Sequence, residues 1–155
     1  TEKGRSQGVR GQPNHTYTVL VVDDDVIVRI VLSDDLRAGG FDVVEAGSGT
    51  EAVALLHAGG PVNVIFSDIR MPGKIDGLAL AAVVADRFDW IAVVLTSGSD
   101  LALDQAMRAN IPIVRKPYRI EQVITVLDAV LGERALGPTE DGQGSGHGHK
   151  GAGPP

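Results

Sequence analysis

Short aliphatic runs alternate with longer amphipathic segments along the middle of this chain, and that alternation restricts the fold more than any other feature. Runs rich in Val, Ile and Leu predict strands at 17–22, 41–46, 62–67, 91–96 and 111–114. Helical patterns follow them at 26–38, 49–58, 76–88, 100–109 and 119–131. Several strands are apolar throughout, as strands are when helices cover both faces of a sheet. The pattern predicts an α/β fold with an open, parallel, doubly wound sheet.

The segments on either side lack this alternation. Residues 1–15 show no periodic pattern, and from Gly132 the chain is rich in Gly, Pro, Ser and His. Such a composition cannot bury enough apolar surface to offset the entropy lost on ordering. We therefore predict disordered tails at 1–15 and 132–155 around one domain at 16–131. In the first helix, we expect Val28, Val31, Leu32 and Leu36 to form the apolar stripe.

Charge and residue content exclude several classes of function. Acidic residues number 20 against 14 basic ones, and this net charge of −6 disfavours a nucleic-acid-binding surface. The chain has no cysteine, which excludes disulfides, thiolate metal sites and a cysteine nucleophile. No apolar run approaches the roughly 20 residues of a membrane helix, and the first residues do not resemble a signal peptide. A cytoplasmic protein without nucleic-acid or membrane partners is expected.

Polar residues follow the predicted strands at the points where the strands end. Asp23 and Asp24 follow the first strand, Asp68 the third, Thr96 the fourth and Lys116 the fifth. Because the carboxyl ends of parallel strands meet at one edge, we expect these side chains to lie together. Carboxylates about 4 Å apart repel by roughly 4 kcal/mol at an effective dielectric of 20, so three of them need a cation or a proton. Oxygen ligands without nearby His or Cys suit Mg²⁺.

The same cluster is suited to phosphoryl transfer. A magnesium ion leaves positions for phosphate oxygens, Lys116 adds a mobile positive charge, and Thr96 offers a hydroxyl. Positioning and charge neutralisation supply most of the catalysis in such transfers. Asp68, at the end of the middle strand, is the expected nucleophile.

Five segments resemble the signatures of response-regulator receivers, the switch domains of bacterial two-component signalling. They are VLVVDDD at 19–25, SDIRMPG at 67–73, DG at 76–77, VLTS at 94–97 and RKPY at 115–118. The resemblance covers about 17–131 and implies a flavodoxin-like fold, with strand order 2-1-3-4-5 and five helices on both faces of the sheet. It also implies that Asp68 is phosphorylated by a sensor histidine kinase or a histidine phosphotransfer protein.

The resemblance also implies roles for single residues. Asp24 and Asp68 would bind Mg²⁺ directly, together with the backbone carbonyl of Arg70, while Asp23 would act mainly through a water molecule. Thr96 and Lys116 would bind the phosphoryl oxygens, which makes them catalytic alongside Asp68.

The wider expectations also follow from the resemblance. A downstream protein would bind the face formed by the fourth helix, the fifth strand and the fifth helix. Apart from its own phosphorylation and dephosphorylation, the protein is not expected to be an enzyme. Because 24 residues follow Leu131, we expect a free-standing receiver, with one excised from a hybrid histidine kinase as the alternative.

Two positions bear on how such a receiver would switch and how long it would stay phosphorylated. Ile113 stands three residues before Lys116, where many receivers have a Tyr or Phe that moves inward on activation. Thr96 is therefore expected to switch without an aromatic partner, while Ile113 keeps one inward state. Arg70, two residues after Asp68, is expected to fold over the site towards an acidic neighbour and to alter hydrolysis of the phosphoryl group.

Two other functions use the same residues. In a magnesium-dependent aspartyl-nucleophile phosphatase, Asp23 would be the nucleophile. That class needs a cap and a second acidic pair, and Thr96 and Ser97 stand where the pair is expected. A receiver-like domain that only binds partners is the other possibility, although Asp24, Asp68 and Lys116 are all present.

Overall fold

Strands and helices alternate throughout residues 16–136, which the computed structural model describes. The strands are β1 (Thr18–Val22), β2 (Asp42–Ala46), β3 (Val64–Asp68), β4 (Ala92–Ser97) and β5 (Ile113–Arg115). The helices are α1 (Val26–Ala38), α2 (Gly49–His57), α3 (Gly77–Arg87), α4 (Asp100–Arg108) and α5 (Ile120–Leu136). All strand pairs are parallel, and the order β2-β1-β3-β4-β5 confirms the predicted doubly wound fold.

The predicted element boundaries agree with the structure to within two residues, with one exception. We predicted that the last helix ends at Leu131, but α5 continues through Gly132 to Leu136. A glycine inside a helix costs only about 1 kcal/mol. Arg134 offsets part of this cost, because its Nη1 donates a 2.7 Å hydrogen bond to the carbonyl of Asp89 before β4. The predicted tail at 132–155 therefore begins as helix, and its remainder lies, like residues 1–15, outside the described residues.

Side chains of the central strands alternate between two apolar layers. Val19 and Val21 of β1 pack under α1 and α5, while Leu20 and Val22 pack on the side of α2 and α3. All four side chains are at most 1% exposed. With both faces of the sheet covered, the carboxyl edge is where polar groups of adjacent strands can meet.

The inward face of α1 differs from the predicted apolar stripe. Leu32, Ser33 and Leu36 are buried, but Val28 and Val31 are 36% and 55% exposed. The inward row starts one residue later than we predicted, at Arg29, whose side chain is 17% exposed. This rotation leaves a run of apolar side chains on the outer surface of α1. The run comprises Val26, Ile27, Val28, Ile30 and Val31.

The amino-terminal edge of the sheet, opposite the carboxylates, has an aromatic group. Phe88 contacts both His57 and Trp90 edge to face, with ring centroids 5.3 and 5.6 Å apart. Trp90 is 64% exposed. Within residues 16–136, no helix has the length and apolar character needed to cross a membrane.

Candidate functional site

The ends of the strands bring the predicted carboxylates together. Asp23 follows β1 directly, and Asp68 is the last residue of the neighbouring strand β3. Asp23, Asp24 and Asp68 each offer one carboxylate oxygen, and these oxygens all lie within 4.8 Å of one another. Their burial differs, since Asp23 is buried, Asp68 is half-buried and Asp24 is exposed. The three predicted metal-binding side chains therefore form one cluster that opens to solvent at Asp24.

Lys116 supplies a positive charge to this cluster. Its backbone N–H donates to the carbonyl of Ser97, which places it beside the end of β4. Its Nζ donates a 2.9 Å hydrogen bond to Asp68 Oδ2 and lies 3.9 Å from Asp23 Oδ2. Burial alone would lower the pKa of Lys116, but the hydrogen bond and negative charge of Asp68, helped by Asp23, raise the pKa above its usual value. Lys116 is thus held in its charged form against the carboxylates.

Asp23 has an unfavourable environment for its charge. Burial raises its pKa above the ordinary 3.8, although the N–H of Asp25 and the charge of Lys116 oppose this shift. The charges of Asp68 and Asp24 raise the pKa further. A cation bound among the three carboxylates would relieve this repulsion. The donor set consists of oxygen atoms only, which fits Mg²⁺. The contribution of the Arg70 carbonyl stays a prediction.

Hydrogen bonds fix the loop between β1 and α1. Asp25 caps α1, with its Oδ1 accepting from the N–H groups of Ile27 and Val28 at 3.0 and 3.1 Å. The N–H of Asp25 donates to Asp23 Oδ1 at 2.9 Å. Arg29 Nη1 donates to the carbonyl of Asp23 at 2.7 Å. Sequence analysis did not identify Arg29, although a basic residue among the apolar positions of α1 was a usable signal.

Thr96 lies next to Asp68 in the sheet, but its hydroxyl is not directed at the carboxylates. The two residues are paired in the register of β3 and β4. Thr96 is 1% exposed, and its Oγ1 donates a 2.7 Å hydrogen bond to the carbonyl of Val114 in β5. Thr96, the predicted switch residue, therefore lies near the carboxyl end of β4, as expected, and its hydroxyl is hydrogen-bonded to β5.

The loop between β4 and α4 is held by serine hydroxyls. Ser97 Oγ accepts the N–H of Ser99 at 3.1 Å. Ser99 Oγ in turn caps α4 by accepting the N–H of Ala102 at 3.3 Å. Arg70 Nη2 donates to the same Ser99 Oγ at 3.1 Å. We predicted that Arg70 folds towards an acidic neighbour, and this prediction is wrong. Its partner is the hydroxyl of Ser99, which caps α4. Ser97 was noted only as the end of the VLTS segment, and Ser99 was not predicted, since single serines after a strand carry little sequence signal.

Two glycines beside the site differ in the space around them. A Cβ on Gly77, at the start of α3, would overlap the carbonyl of Asp68 and lie 2.7 Å from Ile69 Cα. A Cβ on Gly98 would meet only Lys116 Cβ, at 3.8 Å. The start of α3 therefore packs directly against the backbone that carries Asp68.

At the position where many receivers have a Tyr or Phe, this chain has a partly exposed aliphatic side chain. Ile113 is half-buried and packs against a cluster under α4 that includes Leu95 and Leu103. Tyr118 instead packs edge to face on Phe66, with centroids 5.8 Å apart, as expected for a packing role. Burial raises the pKa of Tyr118.

Comparison with known proteins identifies the family. The family model of the response regulator receiver domain matches residues 19–128. The chain belongs to this family. A probable chemotaxis protein CheY of Rhizobium etli is 33% identical over 121 residues, which cover 74% of this chain and 92% of that protein. The crystal structure of a response regulator receiver protein from Sinorhizobium medicae superimposes with a TM-score of 0.71 and 28% identity, covering 77% of the present chain and 97% of that protein's chain.

Other relatives are longer than the matched segment. The transcriptional regulatory protein AruR of Pseudomonas aeruginosa is 40% identical over 91 residues, or 56% of this chain and 36% of that protein. The match to the DNA-binding transcriptional regulator NtrC of Salmonella typhimurium covers 24% of its length, at 34% identity. The receiver thus corresponds to about a third or less of these regulators, but to nearly the whole of the chemotaxis-type protein.

Proposed function

We propose that this receiver is a phosphoacceptor switch in which Asp68 takes a phosphoryl group from a phosphohistidine. The observation that carries the proposal is the convergence of three carboxylates within 4.8 Å, with Lys116 Nζ 2.9 Å from Asp68. In the transfer, an oxygen of Asp68 forms a bond to phosphorus as the phosphorus–nitrogen bond of the donor breaks. The donor's imidazole nitrogen keeps the electron pair. The reaction is the protein's own modification, so we propose no further enzymatic activity.

The residues divide this work between them. Mg²⁺ bound by Asp24 and Asp68, with Asp23 beside them, would neutralise charge on the transferred group. Lys116 Nζ contacts Asp68 Oδ2 and is therefore placed to form an ion pair with an oxygen of a phosphoryl group attached to Asp68. Thr96 must give up its bond to Val114 before its hydroxyl can reach such an oxygen. That exchange is the proposed switching step.

A protein donor fits the surface beside the site. A groove of about 710 Å³ lies between α1 and the segment after β5, and Lys116 and Gly98 line its end nearest the carboxylates. Ile27 and Val31 of the exposed α1 run line the same groove. Exposed apolar surface of this extent favours contact with another protein. We propose a sensor histidine kinase or a histidine phosphotransfer protein as the donor, and the α4–β5–α5 face for the downstream partner.

The test is phosphorylation of the intact chain by acetyl phosphate with Mg²⁺, followed by mass spectrometry. The parent should gain one labile adduct, and Asp68→Asn should gain none. Asp23→Asn should still fold and should be modified more slowly at Asp68. Loss of the adduct in Asp23→Asn with full modification of Asp68→Asn would favour the phosphatase mechanism instead. No adduct in the parent, with no turnover of a phosphate ester, would leave a receiver that only binds partners.

A further inference from the structure

Arg29 occupies an unusual place for a charged side chain. It is the first residue of the inward row of α1, which continues with Leu32, Ser33 and Leu36, and its side chain is only 17% exposed. A guanidinium removed from water is costly unless its N–H groups find acceptors. Arg29 Nη1 donates a hydrogen bond to the carbonyl of Asp23 at 2.7 Å, and Nε forms an ion pair with Glu45 Oε1 at 3.5 Å.

The surroundings leave little room for Arg29 to move. A Cβ on Gly47, in the turn after β2, would lie 3.3 Å from Arg29 Nη1. That turn is itself fixed, because the N–H of Gly47 donates to Glu51 Oε2 at 2.9 Å. The guanidinium is therefore enclosed between the acidic loop, the end of β2 and the turn that follows it.

The contact acts on the peptide group that leads into Asp24. The carbonyl of Asp23 belongs to the planar unit that joins Asp23 to Asp24, so a hydrogen bond to this oxygen sets the orientation of that plane. The next plane, between Asp24 and Asp25, is held by the bond from the Asp25 N–H to Asp23 Oδ1. Both peptide planes that flank Asp24 are thus fixed, one of them by Arg29.

We propose that Arg29 is a positioning residue of the metal site, which orients the β1–α1 loop so that Asp23 and Asp24 present their oxygens towards Asp68. This inference rests on the proposed function, because it concerns the affinity of the same carboxylates for Mg²⁺. Arg29 does not touch the ion. It acts by removing the cost of arranging two flexible peptide planes when the ion binds.

Charge and positioning predict opposite results for loss of Arg29. Removing a positive charge near three carboxylates would, by electrostatics alone, strengthen the binding of a cation. Releasing the loop would weaken it, because the ligands must be ordered on binding. The sign of the change in Mg²⁺ affinity therefore separates a positioning role from a general charge effect.

The experiment is a titration of the Arg29→Gln variant with Mg²⁺. Binding is measured by calorimetry and by the amide chemical shifts of Asp24 and Asp25. We expect the dissociation constant to rise on the order of tenfold, as for other residues that orient metal ligands. Arg37→Gln is the matched control. Arg37 lies on the same helix and contacts Glu45 at 3.4 Å, but its side chain is more exposed and its contacts are with Asp34 and Glu45 rather than the acidic loop. Its loss should change the constant by less than about twofold, as expected for an exposed ion pair.

An Arg29→Gln protein that folds and binds Mg²⁺ as tightly as the parent, or more tightly, would overturn the inference and leave the proposed function intact. A parent that does not bind Mg²⁺ would overturn both. Should Arg29→Gln not fold, the parent decides the matter by nuclear magnetic resonance. The guanidinium protons of Arg29 should exchange slowly with solvent and shift on addition of Mg²⁺, and those of Arg37 should do neither. Rapid exchange of both guanidinium groups would reject a fixed Arg29.

Discussion

The β1–α1 loop and the β4–α4 loop lie at the same edge of the sheet, yet they are held in different ways. In the β1–α1 loop, the largely buried guanidinium of Arg29 donates a hydrogen bond to the carbonyl of Asp23. Asp25 donates its N–H to the Asp23 carboxylate and caps the start of α1 with its own side chain. In the second, the contacts are made by the hydroxyls of Ser97 and Ser99, and by the exposed side chain of Arg70. The β1–α1 loop, the fixed half of the site, is thus held by a charged group with little freedom. The β4–α4 loop, the movable half, is held by hydroxyls that can rotate and by a charged side chain that is exposed.

This difference suggests how binding and response are separated. A neutral hydrogen bond contributes about 0.5–1.5 kcal/mol net, whereas one to a charged group contributes about 1.5–3 kcal/mol. In the proposed switch, a charged phosphoryl oxygen on Asp68 would therefore compete well for the Thr96 hydroxyl, whose bond to the Val114 carbonyl is neutral. The same oxygen would affect the β1–α1 loop less, because the Asp23 carbonyl in that loop already accepts a hydrogen bond from the Arg29 guanidinium. We infer that the β1–α1 loop, the fixed half, would hold the cation. The β4–α4 loop, the movable half, would transmit the effect of phosphorylation at Asp68.

The largest effect should come from crowding the backbone that carries Asp68, which both loops flank. Gly77→Ala should lower the free energy of unfolding by about 3 kcal/mol, since the added methyl meets backbone atoms of Asp68 and Ile69 that cannot move aside. This outweighs the gain of about 1 kcal/mol that alanine brings to a helix. Gly98→Ala, on the movable half, should change it by less than about 0.5 kcal/mol. Urea unfolding of both variants measures the contrast, and equal losses would show that the backbone at Asp68 is no more rigid than the β4–α4 loop.

Removing the switch hydroxyl should have a smaller effect on stability and a large one on response. Thr96→Val removes the hydroxyl that donates to the Val114 carbonyl and should cost about 0.5–1.5 kcal/mol. Thr96→Ser keeps a hydroxyl as the matched control. With beryllofluoride and Mg²⁺, the parent and Thr96→Ser should show amide shift changes through 97–109, while Ile113 keeps its rotamer. Persistence of those changes in Thr96→Val would remove Thr96 from the switch.

The raised pKa of Asp23 predicts a stabilising substitution within the fixed half. Its pKa is above 3.8 in the native state, so the native state holds the proton more tightly than the unfolded chain. The free energy of unfolding therefore falls as pH rises from 3.8 through the native pKa. Asp23→Asn should lack this fall and, at pH 7 without metal, be more stable than the parent. Thermal unfolding with and without Mg²⁺ checks this, because added Mg²⁺ should favour the parent. An unchanged pH profile would refute it.

The smallest stability effect should follow loss of Arg70. Its bond to Ser99 is exposed, so Arg70→Ala should change the free energy of unfolding by less than about 0.5 kcal/mol. The decay rate of the phosphorylated protein should change nonetheless, because Arg70 links the segment after Asp68 to the cap of α4. Ser99→Ala removes the same link without removing the charge. A decay rate equal to the parent in both variants would exclude the link from the mechanism.

The sequence predicted the parallel, doubly wound sheet and the carboxylate cluster because both depend on strong patterns, whereas the strand order was implied by the resemblance to receivers. Aliphatic runs are read directly as buried strands, and the carboxyl ends of parallel strands must share an edge. Orientation within elements was harder to predict. The stripe on α1 was misplaced because Val28 and Val31 are as apolar as Leu32, and only the packing shows that Arg29 faces inward.

Hydrogen-bond partners were the least predictable part of the site. The hydroxyl of Thr96 binds a carbonyl contributed by another strand, and Arg70 binds a serine 29 positions away in sequence. Neither partner has a residue type that marks it, since every residue has a carbonyl and serines are common in loops. The end of α5 was missed for a similar reason, because a distant backbone carbonyl supports the turn after Gly132.

The placement of Trp90 has a consequence for optical measurements. It is the only tryptophan in the chain, and it lies beside Phe88 at the edge of the sheet opposite the carboxylates. Its exposed indole will emit much as it does in water, whatever is bound at Asp68. Tyr118, close to Lys116 and packed on Phe66, is the chromophore next to the site. Ligand binding should thus be followed through tyrosine absorbance, with the tryptophan signal serving as an internal reference.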